Sequence, residues 1–211
     1  MANKIILAAP AEGEITEKKS KFIGYCANVS NEEEAQEFVA SIKKQNWDAT
    51  HNVYAYQIGE YNEIQRSSDD GEPSGTAGRP VLEVIKGSGL SDTAIVVTRY
   101  FGGILLGTGG LVRSYSKAAQ AALDGARRCE LRKGEMIGIF LDYDLLGKVE
   151  NYLIRSGVNI DHIDYLNNAA IYCLVAKDER EDFIKRLREM FPHDLNYTIC
   201  NDDIWLRRVI E

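Results

Sequence analysis

Residues 69–80 read DDGEPSGTAGRP, and residues 98–115 read TRYFGGILLGTGGLVRSY. Ten of the chain's 18 glycines lie between residues 69 and 115. Glycine is costly to order, so it is kept where the backbone needs a positive φ or where another group approaches the main chain closely. Two glycine-rich loops in one region therefore predict a surface with a functional role, and the candidate functional residues are expected there.

The segments around these loops alternate between strands and helices. Period-two and β-branched runs predict strands at 20–29, 50–58, 64–67 and 93–100. Ser30 and Glu33 form a capping box that predicts the start of a helix. Pro80 suits the first turn of a short helix over 81–86, and a long helix follows the second loop. Its predicted buried stripe is Leu111, Tyr115, Ala118 and Ala122.

A second unit is predicted after the charged stretch 127–134, which we take as a domain boundary between residues 1–130 and 134–211. Its predicted strands are 135–143, 158–165, 169–176 and 195–200, and its helices open at Asp144 and Asp178. The second helix is expected to bury Phe183, Ile184, Leu187 and Met190. The order βαββαβ is that of a ferredoxin-like split sandwich, so the fold class is α+β. Many unrelated functions occur on this fold, so the fold by itself does not identify a function.

Charge is unevenly distributed along the 211 residues, whose formal net charge is −7. Residues 134–211 hold nine Lys and Arg against 15 Asp and Glu, whereas residues 73–133 hold nine basic residues against four acidic ones. The acidic whole-chain balance therefore does not exclude an anionic partner for the glycine-rich region.

The first ten residues contain only a short apolar run, too brief for a secretory h-region or a membrane span. We therefore expect a cytoplasmic protein with no membrane partner. The four cysteines are widely spaced and form no C-x-x-C pair, which predicts free buried thiols rather than a zinc site or disulfides. No metal and no cofactor are predicted.

The second loop does not match the known nucleotide-binding motifs. A phosphate-loop frame runs from Gly102 to Gly107, but the required Lys and Ser/Thr pair is replaced by Thr108-Gly109. A dinucleotide fingerprint fails because Val112 occupies its last glycine position. A more general anion cradle remains, since a helix N-terminus presents free N–H groups and basic side chains complete it.

The predicted anion- or nucleic-acid-binding residues combine these amides with nearby cations. They are Arg79, Arg99, Gly102, Gly103, Gly107, Thr108, Gly109, Arg113 and Lys117. The alternative is that Gly109 and its neighbour Gly110 only let the helix pack tightly on the sheet, and the sequence favours neither.

The first loop supplies candidate acid/base groups. Asp69, Asp70 and His51 are the catalytic candidates, and a His–carboxylate pair would form if His51 reached either aspartate. Carboxylates beside Gly and Pro are more often turn formers, and a lone strand histidine is more often structural. The remaining polar positions of this candidate loop site are Glu72, Ser74, Gly75 and Thr76.

Residues 69–80 and 99–113, together with ATHNVYAY at 49–56, resemble the signature of the IMPACT family, whose bacterial members are of the YigZ type. These motifs are long and specific, and the resemblance extends over roughly residues 15–128. The rest of the chain resembles the ferredoxin-like C-terminal domain of the bacterial members.

The resemblance implies an N-terminal domain of the ribosomal-protein/EF-G-domain-IV type, with a mixed sheet backed by helices. It also implies a left-handed βαβ crossover, where the sequence pattern alone favours the right-handed form. The C-terminal domain is implied to be similar to the last domain of elongation factor G. Both halves are thus similar to parts of proteins that touch the ribosome.

The resemblance also bears on function. The eukaryotic relatives bind protein, competing for the large activator of the kinase that restrains translation under amino-acid starvation. Bacteria lack that kinase pathway, so this role does not transfer and the function of the bacterial members stays open. The preferred hypothesis is a non-enzymatic, translation-associated regulator that binds RNA, the ribosome or a protein partner through the Arg99, Arg113 and Lys117 surface. No DNA partner is expected.

Two other hypotheses are kept. One is a hydrolase acting on a small anionic substrate, with Asp69, Asp70 and His51 as acid/base or metal-binding groups and the glycine loop as the anion site. The other is a protein-interaction module with an exposed apolar patch. That patch would consist of Tyr100, Phe101, Ile104 and Leu105.

Overall fold

The computed structural model of the protein describes residues 4–192 and 196–210. Its strands are β1 (Lys4–Leu7), β2 (Ala11–Glu17), β3 (Ser20–Asn28), β4 (His51–Ile58), β5 (Ile64–Ser68), β6 (Thr93–Tyr100), β7 (Arg128–Leu141), β8 (Asn159–Tyr165), β9 (Ala169–Ala176) and β10 (Asn196–Ile210). Its α-helices are α1 (Glu32–Gln45), α2 (Gly78–Ser88), α3 (Thr108–Asp124), α4 (Tyr143–Arg155) and α5 (Arg180–Met190). The predicted α+β class is confirmed.

The chain forms two compact units, Lys4–Glu130 and Leu131–Arg208, with Val209 and Ile210 grouped with the first. The sheet of the first unit has the strand order β2-β3-β6-β4-β5. Every neighbouring pair in it is antiparallel, which corrects the mixed pairing expected from the resemblance. Strands β3 and β4, joined through α1, do run in the same direction, but β6 lies between them. The hand of this crossover stays a prediction.

Strand β6 lies at the centre of this sheet and is covered on both faces. Ile95 and Val97 pack in one cluster with residues of α2 and α3, whereas Ala94 and Val96 pack in clusters with residues of α1. A strand covered on both faces buries every side chain, which explains its continuous apolar run. Helix α3 lies so close to the sheet at Gly24 that a Cβ there would be 2.4 Å from the Ala118 carbonyl oxygen. Glycine at this position therefore allows the close packing.

Several element boundaries differ from the sequence prediction. Asn31, not Ser30, caps α1, because its side chain accepts from the Glu34 N–H at 2.8 Å. Strands β1 and β2 had not been predicted, although Ala11, Gly13 and Ile15 alternate with polar residues in β2. The charged stretch taken as the domain boundary lies largely within β7, where Cys129 and Leu131 alternate with charged residues.

The described strands of the second unit have the order β10-β7-β9-β8, with α4 and α5 packed on one face. The βαββαβ order is as predicted. Helix α4 begins at Tyr143 after the cap residue Asp142, and a 3-10 turn, Lys177–Glu179, precedes α5. Met190 is 57% exposed rather than buried, because it ends α5. The expected strand start at Leu195 lies outside the described residues.

No helix within residues 4–192 and 196–210 is both long enough and apolar enough to cross a bilayer. Cys26, Cys129 and Cys173 are buried free thiols, as expected, whereas Cys200 is a free thiol that is exposed. Burial raises the pKa of Cys26 to about 11 and that of Cys173 to about 12.

Candidate functional site

Glu72 joins the two glycine-rich loops beneath the surface. Its Oε1 accepts from the Arg99 guanidinium at 2.5 Å and from the Tyr115 hydroxyl at 2.7 Å. The side chains of Glu72 and Arg99 are 4% and 6% exposed, and Tyr115 is fully buried. Burial, followed by the hydrogen bond to Glu72, raises the pKa of Tyr115 far above its usual range, so the phenol remains the donor. These contacts tie the first loop to the end of β6 and to α3.

Arg99 therefore does not face solvent, which corrects its expected place on an open cationic surface. Its guanidinium lies 5.5 Å from the centre of the Phe22 ring and 5.4 Å from that of Phe101. A planar guanidinium is suited to this position, because it stacks on rings while donating to a carboxylate. Its positive charge is paired with the buried Glu72 carboxylate, so Arg99 stabilises the interior of the first unit.

Asp69 closes the first loop from within. Its Oδ1 accepts from the N–H groups of Ala77 and Gly78 at 3.0 and 2.8 Å, and its Oδ2 accepts from Gly75 at 2.8 Å. Burial acts to raise the pKa of Asp69, but the hydrogen bonds from Gly75, Gly78 and Ala77 outweigh it and lower the pKa. Asp69 thus supplies the side-chain cap that α2 otherwise lacks, and these amides are not available to a ligand.

Asp70 and His51 are also held in structural contacts. One Asp70 oxygen accepts from Lys43 Nζ and the other from the Asn52 N–H, both at 2.7 Å. His51 Nδ1 lies 2.8 Å from the Asp70 carbonyl oxygen, not from its carboxylate. His51 Nε2 lies 3.9 Å from Glu72 Oε1, so the histidine approaches a carboxylate that the sequence had not paired with it.

The remaining positions of the first loop lie at its surface or along its turn. Thr76 donates its hydroxyl to the Pro73 carbonyl at 2.6 Å, whereas Ser74 and Gly75 are exposed. Arg79 is exposed on the first turn of α2. Among the described residues, no group of three or more His, Cys, Asp or Glu side chains is placed to hold a metal ion.

The second loop packs on the tight turn between β2 and β3. A Cβ at Gly102 would lie 2.1 Å from the Lys19 backbone, and the Gly102 N–H donates to Ser20 Oγ at 3.1 Å. Lys18 and Lys19 form this turn with positive φ angles of 46° and 66°. Gly103 has a φ of 82° and open space around it. The glycines thus bring two exposed lysines beside the loop, a neighbour that the sequence had not indicated.

The start of α3 shares an opening with Lys18. Gly107, with a φ of 72°, is the cap residue, and no side chain of the described residues bonds to the first amides of the helix, Thr108, Gly109 and Gly110. A small opening of about 70 Å³ lies here. It is lined by Glu17, Lys18, Leu106, Gly110, Arg113, Ser114 and Lys117. Three cations and a helix N-terminus therefore surround one opening, against a single carboxylate.

Apolar side chains of the second loop are also exposed. Phe101, Ile104 and Leu105 are 46%, 41% and 83% exposed, while Tyr100 is only partly exposed and donates to Asn46 at 3.2 Å. The surface formed by Lys18, Phe101, Arg113 and Lys117, together with the backbone of residues 102, 103 and 107–110, is called the cradle below. The first loop's Asp69, Asp70 and Ser74 are not among the residues that line its opening.

Two family models match this chain. Residues 18–123 match the one described as the Impact N-terminal domain, and residues 139–191 match a domain of unknown function, DUF1949. The first segment contains both glycine-rich loops, His51 and the whole cradle. The chain belongs to the IMPACT family. The resemblance drawn from the loop motifs is thereby confirmed.

Individual relatives agree with this assignment. The IMPACT family member YvyE of Bacillus subtilis (strain 168) is 47% identical over 179 residues, covering 85% of this chain and 82% of the relative. The family member YigZ of Escherichia coli (strain K12) is 44% identical over 125 residues, 58% of this chain and 61% of the relative. A solved structure described as a hypothetical protein is similar with a TM-score of 0.62 and 31% identity, covering 96% of this chain and 100% of that one.

Proposed function

We propose that this protein is a non-enzymatic, translation-associated regulator that binds RNA through the cradle, as free RNA or as part of a ribosome. Its membership of the IMPACT family supports the link to translation, because the eukaryotic members of that family act on the control of translation. The observation that carries the proposal is the set of three cations, Lys18, Arg113 and Lys117, around the uncapped N-terminus of α3.

These cations are available to a ligand. Lys18, Arg113 and Lys117 are exposed, and none takes part in an ion pair among residues 4–192 and 196–210. Phosphate groups bind at such positions because helix amides and ammonium or guanidinium groups all donate to anionic oxygens. Release of condensed counterions then adds affinity that falls as salt rises.

Phe101 adds a reason to favour RNA over an isolated phosphate. Its ring is 46% exposed and is held in place by the Arg99 guanidinium behind it. Single-stranded nucleic acids bind where an aromatic ring stacks on a base while nearby cations hold the backbone. The cradle contains both kinds of group, an exposed ring in the second loop and the cations that line the opening.

The hydrolase hypothesis has less support from the geometry. Both carboxylate oxygens of Asp69 accept hydrogen bonds from loop amides, and both of Asp70 accept from Lys43 and Asn52. A general base must be within reach of a substrate proton, and these oxygens are committed to internal donors.

The test is the binding of a fluorescein-labelled single-stranded RNA dodecamer, followed by anisotropy at several salt concentrations. We expect the double variant Arg113→Ala, Lys117→Ala to weaken association by about tenfold or more at low salt. The matched control is Lys44→Ala, Lys148→Ala, which removes two exposed positive charges from α1 and α4 and should leave association within about twofold.

The result that contradicts the proposal is equally definite. Absence of association with RNA at low salt, or equal losses in both double variants, would show that the cradle is not the binding surface. Circular dichroism of each variant confirms that the fold is intact, since all four side chains are exposed.

A protein-interaction module is the second candidate, and Leu105 favours it. An aliphatic side chain that is 83% exposed gains little from a nucleic acid but suits an apolar protein pocket. Leu105→Ser separates the two functions. It leaves RNA association unchanged if the cradle binds RNA, and it reduces the association of a protein partner if the loop is a protein-binding element.

A further inference from the structure

The second unit has a sheet face that its helices do not cover. Ile137, Ile139 and Ile171 point toward α4 and α5 and belong to the core of this unit. Because side chains alternate along a strand, the residues between them lie on the opposite face. There Gly138 pairs with Tyr172, and Tyr172 pairs with His162 on β8. Further along the same face, Phe140, Ala170 and Asp164 form the next row.

Aromatic rings gather on this face. The rings of His162 and Tyr172 stack with centroids 4.3 Å apart and planes 12° apart, and Phe140 meets Tyr172 edge-on at 6.5 Å. Phe140 is 37% exposed and the His162 side chain 47% exposed. At the end of the sheet, Tyr143 donates its hydroxyl to the Leu166 carbonyl at 2.7 Å. We call Phe140, His162, Asp164 and Tyr172 the platform.

Aromatic side chains on the open face of a βαββαβ sheet are a known way to stack bases of RNA, but the charge here has the wrong sign. Asp164 belongs to the platform and Asp161 contacts its His162, while Asp142 and Asp144 follow Phe140 by two and four positions in the sequence. Asp161 contacts His162 at 2.7 Å, and no lysine or arginine pairs with the other three within the described part of the chain. An RNA backbone would be repelled, since RNA-binding platforms place cations beside their rings.

The same combination suits a guanidinium group. Arginine stacks on aromatic faces and donates two parallel hydrogen bonds to a carboxylate, whereas lysine does neither in the same way. Phe140 and Asp164 both pair with the small Ala170, one from each side. The Cα atoms of Phe140 and Asp164 are therefore about 10 Å apart, which is two strand spacings. A guanidinium bound beside this row would stack on the exposed Phe140 ring and donate to the Asp164 carboxylate.

We propose that the platform binds an arginine-containing, basic peptide segment of a protein partner. The acidic balance of residues 134–211, nine basic against 15 acidic, disfavours an anionic partner for this unit. The site is made of other residues than the cradle and does not depend on the function proposed for it. The protein would thus bind an anionic ligand through its first unit and a cationic one through its second.

The test uses the full chain and two labelled nonapeptides of glycine and serine that contain either three arginines or three lysines. Anisotropy should show that the arginine peptide binds about fivefold or more tightly than the lysine peptide, because only guanidinium stacks and forks. Asp164→Asn and, separately, Phe140→Leu should each weaken the arginine peptide by about threefold or more. Both changes are nearly isosteric or conservative in volume, so the sheet is retained.

The matched control is Glu181→Gln, Glu189→Gln, which removes two negative charges from exposed positions of α5. It should leave peptide affinity unchanged, as should Arg113→Ala, Lys117→Ala in the first unit. Equal affinity for the two peptides, or equal losses in the platform variant Asp164→Asn and the α5 control, would overturn the proposal. So would RNA association that Phe140→Leu abolishes, since the platform would then bind bases.

Discussion

The two glycine-rich loops have similar composition and opposite roles. In the first, Asp69 binds the amides of Gly75, Ala77 and Gly78, and the loop is closed from within. In the second, residues 101–110 contain no carboxylate or amide side chain, and the N-terminus of α3 is left without a side-chain cap. A glycine loop is therefore open to a ligand when no acidic neighbour occupies its amides. Glycine content alone does not distinguish the two cases.

The largest expected effect concerns the link between the loops. Glu72→Ala leaves the Arg99 guanidinium buried without its carboxylate and Tyr115 without its acceptor. Breaking a buried ion pair from one side costs about 3–5 kcal/mol of unfolding free energy. Urea denaturation measures the decrease.

Glu83→Ala is the control for this variant. Glu83 pairs with Lys86 on the exposed face of α2, and such a pair contributes about 0.5 kcal/mol or less. A Glu72→Ala protein as stable as the Glu83→Ala protein would show that the loops are not joined through this carboxylate.

A smaller decrease in stability is expected at the second loop, where Gly102 touches the β2–β3 turn. The methyl of Gly102→Ala would meet the Lys19 backbone at 2.1 Å, and overpacking of this kind costs about 3 kcal/mol. Gly109→Ala is the matched control, because its Cβ meets nothing within 4 Å and alanine favours a helix. In thermal unfolding, the melting temperature of Gly102→Ala should lie below that of the wild type and that of Gly109→Ala above it. Equal melting temperatures for the two variants would show that Gly102 does not pack closely on the turn.

Asp69→Asn tests the closure of the first loop. The amide side chain keeps one acceptor oxygen but loses the charge and the second acceptor, which should cost about 2 kcal/mol at pH 7. Chemical denaturation of the variant and the wild type gives the difference. An unaffected midpoint would mean that the amides of Gly75, Ala77 and Gly78 do not need this carboxylate.

The same pair of proteins gives a pH dependence. The pKa of Asp69 is lowered in the folded state, so its contribution is present above the unfolded pKa of about 3.9 and is lost as pH falls through the folded value. The stability difference between wild type and Asp69→Asn should therefore shrink below about pH 4. A difference that grows on acidification would contradict the lowered pKa.

The smallest effect separates the loops as binding surfaces. For a single-stranded nucleic acid, each phosphate that a protein cation neutralises adds about 0.7 to the steepness of log affinity against log salt. Arg113→Ala, in the cradle, should reduce the slope by about this amount, whereas Arg79→Ala, beside the first loop, should leave it unchanged. A reduction for Arg79→Ala would extend the surface to α2.

The sequence was a good guide to the elements and a poorer guide to their surroundings. Periodicity placed the strands near His51–Ile58 and Thr93–Tyr100 within one residue of the observed β4 and β6, because a covered strand has a strong local pattern. It missed β2, whose alternation of alanine, glycine and isoleucine is a weak hydrophobic signal. The helix cap moved from Ser30 to Asn31, since either side chain serves as an N-cap and tertiary context selects one.

The candidate site shows the same division. Arg113 and Lys117 were predicted on the side of the long helix opposite its buried stripe, and both are exposed on α3, since two polar positions four residues apart share one helix face. Lys18 was not predicted, because it is close in space only through the contact of Gly102 with the β2–β3 turn. Arg99 was expected at the surface, and no local signal indicates that its partner is 27 residues away at Glu72.

By itself, the sequence determined the α+β class, the membership of the IMPACT family, and the strand–loop–helix units in which both loops are set, because these depend on local spacing and on motifs. Only the tertiary structure decided which loop is closed, which arginine is buried, and which aromatic rings share a face with which carboxylates. Those outcomes depend on contacts between residues distant in the chain, and each is governed by the burial and charge of a partner that local sequence does not identify.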